Sequence, residues 1–397
     1  MLSQTNTTDA ATIDYARSHD IVRLSAKRYE QSPYLERFIT DDAVFGLYAN
    51  RFYPLSLGGD AVADYWKLRK EVMLYDVPEK PISIKGPDAA ALVEKLFTRK
   101  VGRLKRWRAR YALACTPQGT ILMDGVLIRL AKDHFWYVKA NGEFESWLMA
   151  FSYGMDVTIS DPRSWVLQVQ GPHSMRVLDA ATDGPLPEKF GYFHAGMFSF
   201  DGQMHLVTRT GWTGEMGFEI YSNEQTDHLA LWDHLMRCGK PFGIGFGSLE
   251  SMGLRRIESG ILDNGTDIDP TMTPFEAGLG AFVDFSKAAF IGRKALESAD
   301  RRQLLFGLTS VTGVPSAGFD VLLGEKTVGR ITAGSWSPTL EKGIGYVRFY
   351  APSAETAGWL GQTVTLKDSN GNLHPANVVN LPFYDEEKLI PRGLATG

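Results

Sequence analysis

Cysteine is nearly absent from this chain: there are two in 397 residues, Cys115 and Cys238, and no Cys-x-x-Cys pair. That excludes a disulfide framework and a Cys-rich metal site, and it fits a reducing compartment. Long apolar runs are missing too, so no segment reads as a membrane span. The opening stretch MLSQTNTTDAATIDYARSHD is polar and has no apolar centre, so it does not read as a secretory signal. A cytoplasmic protein is the expectation. Positive charge is not in excess. Lys and Arg number 42 against 46 Asp and Glu, a formal charge of −4, which leaves no footprint for nucleic acid or an anionic membrane. The one basic cluster, KVGRLKRWRAR (100–110), reads as a solvated face, with an anionic ligand tail or partner patch as the other reading.

Familiar catalytic signatures are also lacking. GIGFGSLESMG (243–253) has close glycines before a helix, but Ser248 and Glu250 stand where a dinucleotide fingerprint needs glycine. There is no GxxxxGK[ST] phosphate loop and no GxSxG nucleophile elbow. The eight histidines form no HExxH pair and no metal-ligand spacing, so no metal is expected.

What is present is an α+β pattern. PISIKGPDAAALVEKLFT (81–98) reads as strand, Gly-Pro turn and a helix capped by Asp88. WVLQVQGPHSMRVLDAA (165–181) repeats it, which predicts two related α+β halves. A helix is expected near 60–75, with Val62, Tyr65, Trp66, Leu68 and Val72 as its apolar face. GTILMDGVLIRL (119–130) and HFWYVKA (134–140) predict a hairpin, and 196–210 predicts further strands. Helices are expected at 225–238 and at about 248–260, the latter with Ser248 as N-cap and Glu250 in its first turn. After about residue 300, short apolar runs broken by Gly, Pro, Ser and Asn predict a small antiparallel barrel or sandwich. The expected division is an arm over 1–30, two α+β lobes over 31–299 and a β-barrel domain over 300–397.

Several polar residues interrupt this pattern. Asp124 sits in the apolar strand ILMDGVLI, where burial disfavours it unless it has partners; a hairpin Asp beside Gly125 is the plainer reading. In RTGWTGEMGFEIY (209–221), the strand period puts Phe218 and Ile220 on one face and Glu219 and Tyr221 on the other. Glu219 is then either a surface residue or a fixed anion in a pocket. Arg255 and Arg256 are adjacent on a helix and point about 100° apart, so at most one faces a given pocket.

Taken in order, ISIKGPDA, MD at 123–124, VQGP at 169–172, RTGWTGEMGFEIY, LRRIESGILDNGTDIDPTMTPFEAGL, FIGRKAL at 290–296 and GRITAGSWSPTLEKGIGYVR at 329–348 resemble the glycine cleavage T-protein (aminomethyltransferase) family. The resemblance spans roughly residues 45–385. It implies a three-lobed ring: two related α+β lobes and a C-terminal antiparallel β-barrel around a central tetrahydrofolate site. It implies that Glu219 grips the pterin, whose paired N–H donors suit a carboxylate. Asp124 would lie by the reactive folate nitrogens as the catalytic carboxylate. Arg256 would meet the folate glutamate tail. Tyr111, Asn141 and Trp336 match further folate-side positions.

The chain departs from T-proteins in two places. DVPEKP (76–81) stands where T-proteins carry DVSHMG, so the His is gone, and TGWTGEMG replaces TGYTGEDG, with Trp212 for Tyr. The segment SPYLERFITDDAVFGLYANRFYPLSL (32–57) is similar to the start of dimethylsulfoniopropionate demethylases. These features make a tetrahydrofolate-dependent demethylase the leading expectation, with 5-methyltetrahydrofolate as product. The donor would be a small methylated molecule: a sulfonium or quaternary ammonium held by an aromatic wall of Trp212 and Tyr192, or a methoxylated aromatic with Tyr192 and His194 as acid candidates. Arg209 would meet a donor carboxylate. Each of these four residues also has an ordinary reading in core, loop or salt bridge. Two alternatives stay open: aminomethyl transfer with a lipoyl carrier protein as partner, and a non-catalytic folate-binding regulator.

Overall fold

The computed structural model describes residues 28–354 and 358–395. Most of the expected arm lies outside these residues. Glu30 already belongs to the fold, because its backbone N–H donates to Asn50 and its carbonyl accepts from Phe52. No helix among the described residues is long and apolar enough to cross a membrane.

A hairpin of β1 (Val44–Tyr48) and β2 (Arg51–Ser56) comes first. One five-stranded sheet holds β4 (Lys80–Lys85), β5 (Arg108–Cys115), β6 (Ile121–Ala131), β7 (His134–Lys139) and β8 (Thr158–Ser160), in the order β5-β6-β7-β4-β8. A six-stranded sheet holds β3 (Val72–Val77), β9 (Val166–Gln170), β10 (Ala195–Phe200), β11 (Gln203–Thr208), β12 (Gly217–Tyr221) and β13 (Ile244–Phe246), in the order β10-β11-β12-β9-β3-β13. Four strands of the two orders match, β5-β6-β7-β4 with β10-β11-β12-β9. Each Gly-Pro turn follows an interior strand, β4 or β9, and leads into α2 (Ala89–Leu96) or α4 (Ser174–Ala181). The sequence repeat is therefore a repeat of topology.

The sheets bury different faces against different partners. Leu74, Val169, Phe218 and Ile220 pack with Leu178 of α4 and with Leu231 and Trp232 of α5 (His228–Gly239). Ile82, Ile84, Phe135 and Tyr137 pack with Leu92 and Leu96 of α2 and Leu148 of α3 (Glu145–Phe151). The opposite faces meet each other: Met73, Tyr75, Val166 and Tyr221 from one sheet, Ala109, Ile128 and Val138 from the other. The layers run helix, sheet, sheet, helix. Six antiparallel strands, β14 (Leu305–Ser310), β15 (Asp320–Leu323), β16 (Lys326–Ser337), β17 (Lys342–Phe349), β18 (Thr363–Lys367) and β19 (Leu373–Val379), close the C-terminal barrel. The remaining helices are α1 (Ala61–Lys70), α6 (Leu249–Glu258), α7 (Arg293–Ser298) and α8 (Leu389–Arg392).

Three local expectations need correction. The helix expected at 60–75 stops at Lys70, and 72–77 is the strand β3. Its run VMLYDV is wholly buried and pairs with β9 and β13. Val62, assigned to the apolar face, is 46% exposed, whereas Tyr65 and Leu68 are buried. Asp88 stands at the N-terminus of α2 but does not cap it; its carboxylate accepts from the Asp156 N–H at 2.9 Å instead. Ser248 likewise precedes α6 without a side-chain cap bond.

Candidate active site

The strand period decides which way the two carboxylates point. On β12, Phe218 and Ile220 enter the helix-covered core, so Glu219 and Tyr221 face the other sheet. On β6, Asp124 shares the inward face with Val126 and Ile128. Both carboxylates line one central cavity of about 780 Å³. Its walls come from both sheets, from the 260–264 loop and from the C-terminal segment around Asn380–Pro382.

Glu219 is held on nearly every side. Its Oε2 accepts from Tyr221 Oη at 2.6 Å, Thr210 Oγ1 at 2.7 Å and Thr208 Oγ1 at 3.2 Å. Among the described residues its Oε1 accepts only from Gln168 Nε2, at 3.0 Å. Burial raises its pKa, and the three hydroxyl bonds oppose that. Oε1 therefore has room for one more donor from the cavity, while Oε2 is filled. A two-oxygen grip on a ligand requires one of the hydroxyls to turn away. The glycine turn before β12 is also tightly packed: a Cβ on Gly211 or Gly217 would sit within 2.4 Å of the Gln170 side chain. The glycines make room for that amide, which binds Thr210 O and Thr213 Oγ1 and so braces the turn.

Asp124 has a donor on each oxygen. Tyr111 Oη donates to Oδ2 at 2.9 Å and Asn264 Nδ2 to Oδ1 at 3.0 Å. Burial raises its pKa against those two bonds. The next residue must be glycine, because a Cβ on Gly125 would lie 2.3 Å from the Val138 carbonyl. Tyr111 lines the cavity with its ring edge against Phe282, 4.8 Å between centroids.

Among the other candidates, Trp212 and Tyr192 line the cavity. Burial pushes the Tyr192 hydroxyl up to about 12, so it is a neutral donor at physiological pH. Arg256 does not line the cavity. Its guanidinium pairs with Asp267 at 2.5 Å and lies behind Trp212, 5.1 Å from the ring centroid. Arg255 turns to Glu215 at 2.7 Å, so the two adjacent arginines serve different acids. Asn141 is also outside the lining: its Oδ1 accepts from the Ala49 N–H at 3.0 Å, which ties the β1–β2 turn to the sheet. That turn presents Tyr48 to the cavity. Trp336 is 43% exposed on β16, away from the cavity. His194 lies outside it with its ring edge on Phe190, and burial and Arg108 depress its pKa. Arg209 lies outside the lining and donates to two carbonyls, Phe190 O at 3.0 Å and Arg392 O at 2.8 Å, with its Nε buried and unpartnered among the described residues.

Sequence reasoning missed Tyr48, Glu79, Asn264 and Lys388, all on the cavity wall. Asn264 lies in the quoted DNGTDID loop and Glu79 in the altered DVPEKP stretch, so both had a local signal. Lys388 did not: it arrives from the chain terminus, donates to Ser259 O at 2.6 Å, and burial and Arg255 lower its pKa to about 8.

The wall thus offers buried carboxylates for N–H donors, aromatic and aliphatic surface around Val126, Trp212 and Phe282, and cations at Arg99, Arg110 and Arg392. An elongated ligand with an N–H-rich ring and an anionic tail fits this donor set. The comparisons agree on a family with such a ligand. The GCVT N-terminal domain matches residues 42–287 and the glycine cleavage T-protein C-terminal barrel domain matches 301–385. An aminomethyltransferase of Alkaliphilus oremlandii is 32% identical over 333 residues, covering 81% of this chain and 89% of that one. One of Streptomyces avermitilis is 32% identical over 350 residues, covering 84% and 92%. The crystal structure of glycine cleavage system aminomethyltransferase T from Bartonella henselae superposes with a TM-score of 0.79 at 26% identity, covering 90% of this chain and 98% of that one. The chain belongs to the glycine cleavage T-protein family of tetrahydrofolate-dependent aminomethyltransferases.

Proposed function

We propose that this protein transfers a one-carbon group between a donor and tetrahydrofolate in the central cavity. The observation that carries this is the pair of inward carboxylates, Glu219 and Asp124, on facing sheets of one cavity. Tetrahydrofolate, when bound, supplies a ring nitrogen that takes up the one-carbon group. Glu219 Oε1 accepts a ring N–H. Asp124 would orient the acceptor and receive at its carboxylate the proton lost from the acceptor nitrogen as the new N–C bond forms and the donor's bond to that carbon breaks, its electron pair departing with the leaving group. Tyr111 and Asn264 hold that carboxylate in position. The apolar walls exclude water, so most of the rate gain is positioning and desolvation.

The named relatives support aminomethyl transfer as the first reading, with a lipoyl carrier protein as the donor's partner. Demethylation of a small methylated donor is the second reading. It is favoured by DVPEKP at 76–81, where the family pattern has DVSHMG. One experiment separates the two. The purified protein is incubated with tetrahydrofolate and either an aminomethyl-lipoyl carrier or a panel of sulfonium, betaine and methoxybenzoate donors, and the folate product is identified by mass. 5,10-Methylenetetrahydrofolate from the carrier supports the first reading. 5-Methyltetrahydrofolate from a small donor supports the second. Tight folate binding with no product from any of them contradicts both and leaves a folate-binding regulator.

A further inference from the structure

Beside the central cavity lies a smaller pocket of about 60 Å³. Tyr48, Glu79, Trp212 and Asp263 line both. Tyr53 and Tyr75 add to its aromatic wall. One carboxylate oxygen in this lining, Glu79 Oε2, is sealed from solvent and has no hydrogen-bond partner among the described residues. The Asp76 side chain turns to the helix-covered face of β3, opposite Tyr75 and Val77. Unpartnered buried carboxylate oxygens are costly, and a native fold that keeps them invites a ligand that completes them.

No side-chain cation among the described residues is bonded to that oxygen. Arg51 donates its Nε to Glu30 at 2.9 Å and its Nη1 to the backbone carbonyl of Glu79 at 3.0 Å, and its guanidinium lies 3.9 Å over the Trp165 ring. What remains is a small aromatic space with an unpaired carboxyl oxygen. Ring faces attract cations, and carboxylates attract them more strongly.

We propose that this pocket binds a compact organic cation, the charged end of the one-carbon donor. The proposal rests on the reading of the central cavity as the transfer site and narrows the donor class. Two kinds of donor share this chemistry. A methylated onium head brings positive charge against the rings without N–H donors. A protonated alkylamine brings the same charge and also donates to Glu79 Oε2. A neutral methoxylated aromatic brings neither a charge nor an N–H donor to that oxygen.

The test is calorimetric binding to the folate-free full chain at constant ionic strength. The probes are tetramethylammonium, trimethylsulfonium and methylammonium, with tert-butanol as the neutral probe of similar size. At least one cation should bind tenfold or more tightly than tert-butanol. Glu79→Gln should weaken that binding at least tenfold, and Tyr53→Leu should weaken onium binding more than methylammonium binding. Preference for the onium probes assigns a methylated onium donor, and preference for methylammonium assigns an amine. Circular dichroism of the Glu79→Gln and Tyr53→Leu variants shows that each is folded. The proposal is overturned if no cation outbinds tert-butanol, or if neither variant alters cation affinity. Cation binding in a protein with no tetrahydrofolate affinity keeps the pocket and sinks the transfer reading. Folate turnover with no cation selectivity does the reverse.

Discussion

Tyr111 donates its hydroxyl to Asp124 Oδ2 at 2.9 Å, reaching diagonally from β5 to β6, where Tyr111 pairs with Val126 and Asp124 with Leu113. The bond stabilises the ionised form of a carboxyl whose pKa burial raises. Tyr111→Phe removes that support, so the Asp124 pKa should rise further. If the ionised form is the working one, the acidic limb of the turnover–pH profile should move to higher pH. A hydrogen bond to a charged group contributes about 1.5–3 kcal/mol, so turnover at neutral pH should fall about tenfold or more. Tetrahydrofolate affinity should change little. Equal losses in turnover and affinity would make Tyr111 and Asp124 binding residues only.

Arg256 and Asp267 form a buried pair, and Asp267 also accepts from Thr332 on the barrel. Breaking such a pair costs about 3–5 kcal/mol because a buried charge is left alone. Arg256→Ala should therefore lower the denaturation midpoint sharply, and a joint Arg256→Leu, Asp267→Leu change should recover part of the loss. Chemical denaturation of the wild type and these two variants measures the loss and the recovery. A stable Arg256→Ala protein that has lost only its affinity for the folate glutamate tail would show that the arginine meets the ligand instead.

Burial lifts the Asp76 carboxyl to about 7 and Glu79 to about 8. Glu219 faces Glu79 as a further negative group, Tyr48 and Asp263 share the pocket, and Arg51 opposes the shifts. A carboxyl whose pKa is higher in the folded state contributes stability while protonated and loses it as pH rises through that value. The contribution of these two groups to the melting temperature of the free protein should fall between about pH 4 and 8 and level off above that. Glu79→Gln should flatten that fall, and a saturating organic cation should do the same. Thermal scans across that range would contradict the assignment if the two proteins ran parallel.

Much of the fold was legible because its signals are local. The Gly-Pro turns and broken apolar runs named the repeat and the barrel. The two-residue period of β12 put Glu219 on the face opposite Phe218 and Ile220 before any contact was known. What failed depended on distant residues. VMLYDV becomes a strand because residues 166–170 and 244–246 flank it, and nothing in 60–77 encodes that. Arg209 and Arg256 looked free to meet ligands, yet their partners are a carbonyl of Arg392 and the Asp267 carboxylate. Glu79 was visible only as a departure from a family pattern. Its unpartnered oxygen is a property of packing.

The central claim is tested most directly by titrating tetrahydrofolate into the wild-type protein and the Glu219→Gln variant by calorimetry, with circular dichroism to confirm that both are folded. Loss of a charged acceptor predicts an affinity drop of about ten- to a hundredfold. Equal affinities would remove Glu219 from the folate site and with it the assignment of the cavity.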